Sequence, residues 1–413
     1  MIAIFFKNAI VNSAFQCKML SMVADSHYIP RALNPPRGSY FLLGPRGTGK
    51  STWLLRHYPK AVRIDLLLGE EERRFEAYPE RIRDVVEQLP SGSTLILDEI
   101  QRVPRLLPEI HALIETKKDI QYIMTGSSAR KLRRSVSDLL GGRALLRQMG
   151  PFLASELGSR FSLEKALKIG LIPLIWESDN PEERLRDYIH LYLKEEVQAE
   201  GLVRQIGDFA RFLEVASFSH GSIWTSMDVS REASVKRATV DNYFQILEDL
   251  LLAFSLPVFA RRAKRKLIAH QKFYFFDLGV YRVLRPQGIL DDPREIDGMA
   301  LEGLVAQHLR SWVLTQNQPH TLSFWRTQTQ LEVDFVIYGP RGFWAIEVKR
   351  SANLGPDDVR GMAAFKEEYP EAQCCFVVLG KRRESYRGFP VIPIEEFLLQ
   401  IDPEQPLFRL DHF

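Results

Sequence analysis

Cysteine is nearly absent: Cys17 and the neighbouring pair Cys374 and Cys375 are the only three in 413 residues. The number is odd, adjacent cysteines rarely bridge, and no C-x-x-C spacing occurs, which excludes a disulfide framework and a cysteine metal site. A reducing compartment fits, and a cytoplasmic protein is expected. Long apolar runs are also missing. Nothing approaches the roughly 18 residues that a membrane helix needs, so no membrane partner is expected. The longest candidate, 250–260, reads as a buried helix end. Acidic residues are missing from the first two dozen positions, which hold Lys7 and Lys18. The run Ile2 to Phe6 is broken by Lys7 and Asn8, and no small-residue cleavage site follows, so 1–26 reads as an extension with Met19 or Met22 as alternative starts. Net charge is only +3, too little to name a partner. Two basic clusters, 129–134 and 261–266, either face nucleic acid or are simply solvated. No internal repeat or low-complexity tract is present.

Glycine, by contrast, is concentrated in one place. The stretch YFLLGPRGTGKST carries Gly44, Gly47 and Gly49, then Lys50 and Ser51. It satisfies G-x-x-x-x-G-K-[ST], the loop that wraps a phosphate, and it follows an apolar strand and opens a helix as that mechanism requires. The expected nucleotide contacts are Gly44, Pro45, Arg46, Gly47, Thr48, Gly49, Lys50, Ser51 and Thr52. Backbone N–H groups and the helix N-terminus would hold the phosphates. Lys50 would reach the β- and γ-phosphates of ATP, and Ser51 would ligate Mg²⁺.

Downstream, TLILDEI is an apolar strand ending in Asp98 and Glu99. Asp98 is placed to hold Mg²⁺ through water, and Glu99 to polarise the attacking water as a general base. A further strand, IMTGSS, ends in hydroxyls. Thr125, Ser127 or Ser128 either senses the γ-phosphate or closes a turn. Arg143, after Gly141 and Gly142, is a candidate arginine for a γ-phosphate, in cis or from a neighbouring copy in a homo-oligomer, or else a surface arginine. Between residues 40 and 149, short apolar strands alternate with helical stretches, which predicts a parallel sheet with helices on both faces.

The middle is mostly helical. EERLRDYIHLYLKEEVQAEG reads as a long amphipathic helix closed by Gly201, and IGDFARFLEVASFSHG as another closed by Gly221. Two helical pieces around Ser234 and Val235, the second spanning 236–252, resemble a helix-turn-helix or are a plain packing module. From Gly298 a helix precedes several strands, a separate α/β region.

Taken together, GPRGTGKST, LILDEIQRVP, MTGSSARKL, LLGGRALLRQMGPF, LRDYIHLYLKEEV, KFYFFDLGVYRVL, LEGLVAQHL and EVDFVI…AIEVKRS resemble the bacterial and archaeal AAA-type ATPases that carry a C-terminal domain of unknown function. The resemblance covers about 27–351. It implies a P-loop core, a winged-helix-like middle and a C-terminal domain similar to restriction-endonuclease-like nucleases. The expected organisation is an α/β protein: an extension at 1–26, the ATPase domain at 27–150, the helical, winged-helix-like region at 151–286 and the nuclease-like α/β domain at 287–413.

In LEVDFVIYG, strict alternation puts Glu332, Asp334 and Val336 on one face, with Leu331, Val333, Phe335 and Ile337 on the other. In FWAIEVKRS, Glu347 and Lys349 share a face opposite Trp344, Ile346 and Val348. Two such strands would bury one apolar face and present Asp334, Glu347 and Lys349 together. Asp334 and Glu347 would then hold a divalent metal and Lys349 would orient water for phosphodiester cleavage, with Glu302 as a further ligand. Alternatively the face is merely solvated. The expected function is Mg²⁺-dependent ATP binding and hydrolysis coupled to a nucleic-acid-directed tail, with DNA as a partner. The alternative is a nucleotide-dependent switch on protein partners with an inactive docking tail.

Overall fold

The computed structural model describes residues 28–128, 144–192, 197, 203, 205–261, 267–268, 270–289, 291–316 and 318–407. Arg143, the cluster 129–134 and most of the cluster 261–266 lie outside the described residues. The chain divides after Met149 into two compact units.

The first unit is built on five strands: β1 (Tyr40–Leu43), β2 (Val62–Asp65), β3 (Thr94–Asp98), β4 (Gln121–Gly126) and β5 (Leu145–Gln148). They run in the order β2-β3-β4-β1-β5, every pair parallel. β1 is buried along its whole length, the mark of a strand covered on both faces. Tyr40 and Leu42 pack with Trp53 and Leu54 of the helix Lys50–His57, and with Ile96 and Ile123. Phe41 and Leu43 are buried on the opposite side. Each such side chain contributes about 1.5–3 kcal/mol on leaving water, so β1 is held firmly just where the glycine loop leaves it. The apolar run before the glycine loop, TLILDEI and IMTGSS, each expected as a strand, form β1, β3 and β4. β4 stands between β1 and β3, and therefore between the loop and the acidic pair.

In the second unit, a three-stranded antiparallel sheet in the order β6-β8-β7 contains β6 (Ser222–Ile223), β7 (Ala253–Leu256) and β8 (Lys272–Phe275). Around it in the chain are helices Ile206–Ser217, Ser226–Glu232 and Arg237–Asp249. Ser234 takes a left-handed backbone (φ 54) at the break between the latter two. A six-stranded sheet follows, ordered β13-β14-β12-β11-β10-β9. Its strands are β9 (Thr321–Arg326), β10 (Glu332–Gly339), β11 (Gly342–Lys349), β12 (Gln373–Val378), β13 (Glu384–Tyr386) and β14 (Phe389–Pro393).

Several expectations are corrected here. The segment 250–260 is no helix end. The helix stops at Asp249, Leu251 turns through a left-handed backbone, and 253–256 pairs with β8. Pairing with a distant strand overrides the helical preference of a leucine-rich run. The helix expected to run to Gly201 is α-helical only over Pro181–Asp187 and continues as π-helical turns over Tyr188–Tyr192; 193–196 and 198–202 lie outside the described residues. The helix expected to close at Gly221 ends at Ser217, and the Gly221 N–H joins Phe273 O instead (2.8 Å).

The strict alternation along β10 also fails. Its register against β9 shifts between Val333 and Val336, a bulge that puts one extra residue on this strand and reverses the faces beyond it. Val333, Val336 and Tyr338 consequently pack in one cluster with Ala345 and Phe365, while Phe335 meets Tyr274. Trp344 packs on Trp312 of the long helix Pro293–Thr315. Apolar side chains thus cover both faces of the hairpin, and neither face is a solvated one.

Candidate active site

The glycine loop leaves β1 and enters the helix Lys50–His57. Gly47 and Gly49 have φ of 81° and 89°, a left-handed backbone that favours glycine. Gly44 is needed for another reason: a Cβ there would come within 2.1 Å of the Met149 carbonyl at the end of β5. Pro45 and Thr48 are buried and Arg46 is exposed at the tip. The Thr48 hydroxyl donates to Pro45 O (2.8 Å), cross-linking the loop. Lys50 donates its ammonium to Gly44 O (2.6 Å) and Pro45 O (3.3 Å), so it lies folded along the loop interior. Arg31, outside the motif, donates to Thr48 O (2.6 Å) and braces the loop from behind. Ser51 and Thr52 open the helix.

Ser51 Oγ lies 3.4 Å from Asp98 Oδ2, so loop and acidic strand meet although β4 separates β1 from β3. β4 supplies the link: the Thr125 hydroxyl donates to Asp98 Oδ1 and accepts from the Glu99 N–H (3.1 Å). Ser128 is buried at the end of the same strand. Asp98 is buried and ion-paired with Arg63 of β2. Glu99 has φ 59 and ψ 48, a left-handed conformation that costs a non-glycine residue about 1–3 kcal/mol and is concentrated at functional sites. Gln101 donates to Glu99 Oε2 and to Ser127 Oγ (3.0 Å), and Ser127 Oγ lies 3.4 Å from the same carboxylate. The expected residues Lys50, Ser51, Asp98, Glu99 and Ser127 therefore form one contiguous site. Arg31, Arg63 and Gln101 join it unanticipated. A cation one strand over from an acid carries no local signature, although the spacing of Glu99 and Gln101 could have been read as a polar pair at a strand end.

In the second unit, Asp334 and Glu347 are each only 7% exposed. Asp334 N donates to Glu347 Oε2 (3.2 Å), and Val348 N to Asp334 Oδ2 (2.9 Å). Lys349 pairs with Glu347 Oε1 (2.9 Å) and approaches Asp358 (3.8 Å). Burial pushes the Glu347 carboxyl up, against the pull of Lys349. The three expected residues are thus together, but two more groups stand among them. Lys272 of β8 reaches Glu302 (2.9 Å), Glu332 (2.5 Å) and Asp334 (3.2 Å). Tyr274 donates its hydroxyl to Glu302 (2.5 Å). Burial opposes the Lys272 charge, and Glu302, Tyr274, Asp334 and Glu332 outweigh it, holding the ammonium well above the ordinary lysine range. Among the described residues, no group of three or more His, Cys, Asp or Glu is arranged to hold a metal ion, and no helix is long and apolar enough to cross a membrane.

Comparison with known proteins matches the chain in three successive segments. Residues 36–158 match the family model described as an AAA domain. Residues 160–289 and 297–397 match two models described as domains of unknown function, DUF8612 and DUF4143. Two mycobacterial proteins described as uncharacterized, from Mycobacterium bovis and Mycobacterium tuberculosis, are each 26% identical over 359 residues, covering 83% of this chain and 76% of theirs. Among solved structures, a signal transduction ATPase with numerous domains and a tetratricopeptide repeat sensor, from Pyrococcus horikoshii, is 10% identical with a TM-score of 0.21. That match covers 71% of this chain and 48% of the archaeal one. Protein VC1899 of Vibrio cholerae is 10% identical with a TM-score of 0.21, covering 89% of this chain and 96% of its own. At those scores neither structure bears on the fold. The AAA-domain match falls on the residues that form the parallel sheet and the glycine loop, and together they support an AAA-type ATPase.

Proposed function

We propose that the chain binds ATP with Mg²⁺ and hydrolyses it to ADP and phosphate, and that the state of the nucleotide governs the second unit. The observation that carries this reading is the convergence of Lys50, Ser51, Asp98, Glu99, Thr125 and Ser127 at one end of one sheet. Residues 44–52 would enclose the phosphates. Ser51 and Asp98 offer neighbouring oxygen donors of the kind Mg²⁺ takes, so the residues present fit that ion. When bound, it would neutralise charge on the phosphate oxygens. Glu99, with its carboxylate held by Gln101 and Ser127, is the base that would take a proton from the attacking water. Arg143, if supplied by a neighbouring copy, would complete the charge stabilisation and make turnover depend on assembly. The wild-type chain is expected to release phosphate from ATP in Mg²⁺ and to stop when EDTA is added. Phosphate release that is indifferent to EDTA would refute the Mg²⁺-dependent reading.

For the second unit, the convergence of Asp334, Glu347 and Lys349 supports a nuclease-like, nucleic-acid-directed region, and the order of helices and strands over 206–275 is compatible with a winged-helix-like module. A second reading, a switch that acts on protein partners, is favoured by the bonds already made to the oxygens of Asp334 and Glu347. DNA binding by the full-length chain separates them. The first expects affinity that falls linearly with salt on logarithmic axes, by about 0.9 per phosphate contacted. Absence of binding at low salt leaves the protein-directed switch.

A further inference from the structure

The acidic cluster of the second unit is a cation site that already has a cation. Lys272 lies on β8, the central strand of its sheet, held between Ile223 of β6 and Leu256 of β7. Only 2% of the residue is exposed. An ammonium has three donors, and three carboxylates surround this one: Glu302 from the long helix at 2.9 Å, and Glu332 and Asp334 from β10 at 2.5 and 3.2 Å. The Phe324 ring faces the same ammonium at 5.5 Å.

Glu302 uses its Oε1 for both Lys272 and Tyr274, and most of the other oxygens are engaged too. Asp334 Oδ2 accepts from Val348 N, Glu332 Oε2 pairs with Arg326 (2.9 Å), and the two oxygens of Glu347 take Lys349 and Asp334 N. Glu302, Glu332, Asp334 and Glu347 thus share Lys272, Arg326 and Lys349 among them. A divalent ion would need these same oxygens at about 2.0–2.6 Å, with Lys272 displaced. β8 is paired on both sides, which fixes the backbone from which the lysine stem reaches the cluster, and a lysine turned away from it would leave a buried ammonium without its carboxylates.

We infer that the Lys272 ammonium is the resident cation of this cluster, and that the site expected from Asp334 and Glu347 takes no divalent metal while β8 is in place. The lysine is a lock that ties the three-stranded sheet to the six-stranded one. Metal-assisted phosphodiester cleavage at Asp334 and Glu347 is then closed off by a residue of the chain itself. The inference is independent of the ATPase reading, and it leaves the nucleic-acid-directed reading of this region as binding without cleavage.

The test is Mn²⁺ binding to the full-length, nucleotide-free protein, followed by calorimetry and by the electron paramagnetic resonance of free Mn²⁺, with Ser51→Ala as the control for the glycine loop. Wild type and Asp334→Asn are expected to bind alike, within about twofold. Lys272→Ala is expected to gain one Mn²⁺ site at least tenfold tighter than anything in wild type, with a melting temperature that rises on adding Mn²⁺. The double variant Lys272→Ala, Asp334→Asn should lose that site. Recovery of an otherwise unfolded Lys272→Ala by Mn²⁺ supports the inference equally. A tenfold loss of Mn²⁺ affinity on changing wild type to Asp334→Asn overturns it, and that arm needs no Lys272 variant. So does a folded Lys272→Ala that gains no site.

Discussion

Lys50→Ala is expected to lower ATP affinity by about 100-fold or more and to bring hydrolysis to background, since a preorganised charged donor of this kind is worth about 10²–10³ in rate alone. The side chain is 6% exposed and its ammonium lies along the loop on Gly44 O and Pro45 O. A phosphate enclosed by residues 44–52 would meet that ammonium with little rearrangement, because the helix Lys50–His57 fixes the stem and β1 fixes the loop. The backbone N–H groups would remain in the variant, but the mobile point charge that follows the γ-phosphate would not. The variant also loses the bonds to Gly44 O and Pro45 O, so its melting temperature is measured beside its affinity. Titration with a fluorescent ATP analogue and a phosphate-release assay read the two effects separately. Wild-type hydrolysis in a folded Lys50→Ala would remove the lysine from the site.

Much of the first unit was legible because its signals are local. A buried parallel strand is a short apolar run, and β1, β3 and β4 each end on the residues that carry the chemistry. The strand order was not legible, since which strand lies between β1 and β3 depends on packing over the whole sheet. With that order went Arg63, which meets Asp98 only because β2 and β3 are neighbours. In the second unit, the grouping of Asp334, Glu347 and Lys349 followed from alternation on paired strands, yet the bulge between Val333 and Val336 was invisible to a rule of period two. Lys272 was hidden most completely. A lysine at the start of a strand reads as a surface residue, and its three carboxylates come from segments 30 to 62 positions away. Only the sheet that places β8 beside the long helix and β10 turns that lysine into the centre of a site.

Glu99→Gln is expected to separate binding from turnover. The residue is strained: its backbone is left-handed, its N–H is held by Thr125, and its carboxylate is held by Gln101 and Ser127. A glutamine there keeps the length and shape of the side chain and can still bond to Gln101, so the loop, Asp98 and Ser51 stay as they are. It cannot accept a proton from water. Loss of a positioned general base costs about 10²–10⁴ in rate, so kcat should fall by that factor while ATP affinity stays within about threefold. The conformational strain works in the same direction. Holding a glutamate in a left-handed turn is worthwhile only if the direction of its carboxylate matters, and among the described residues that direction is set by two side-chain donors, Gln101 and Ser127. Single-turnover hydrolysis with enzyme in excess isolates the chemical step from product release. A rate within twofold of wild type would leave Glu99 as a turn residue and return the question of the base to its neighbours on β3 and β4.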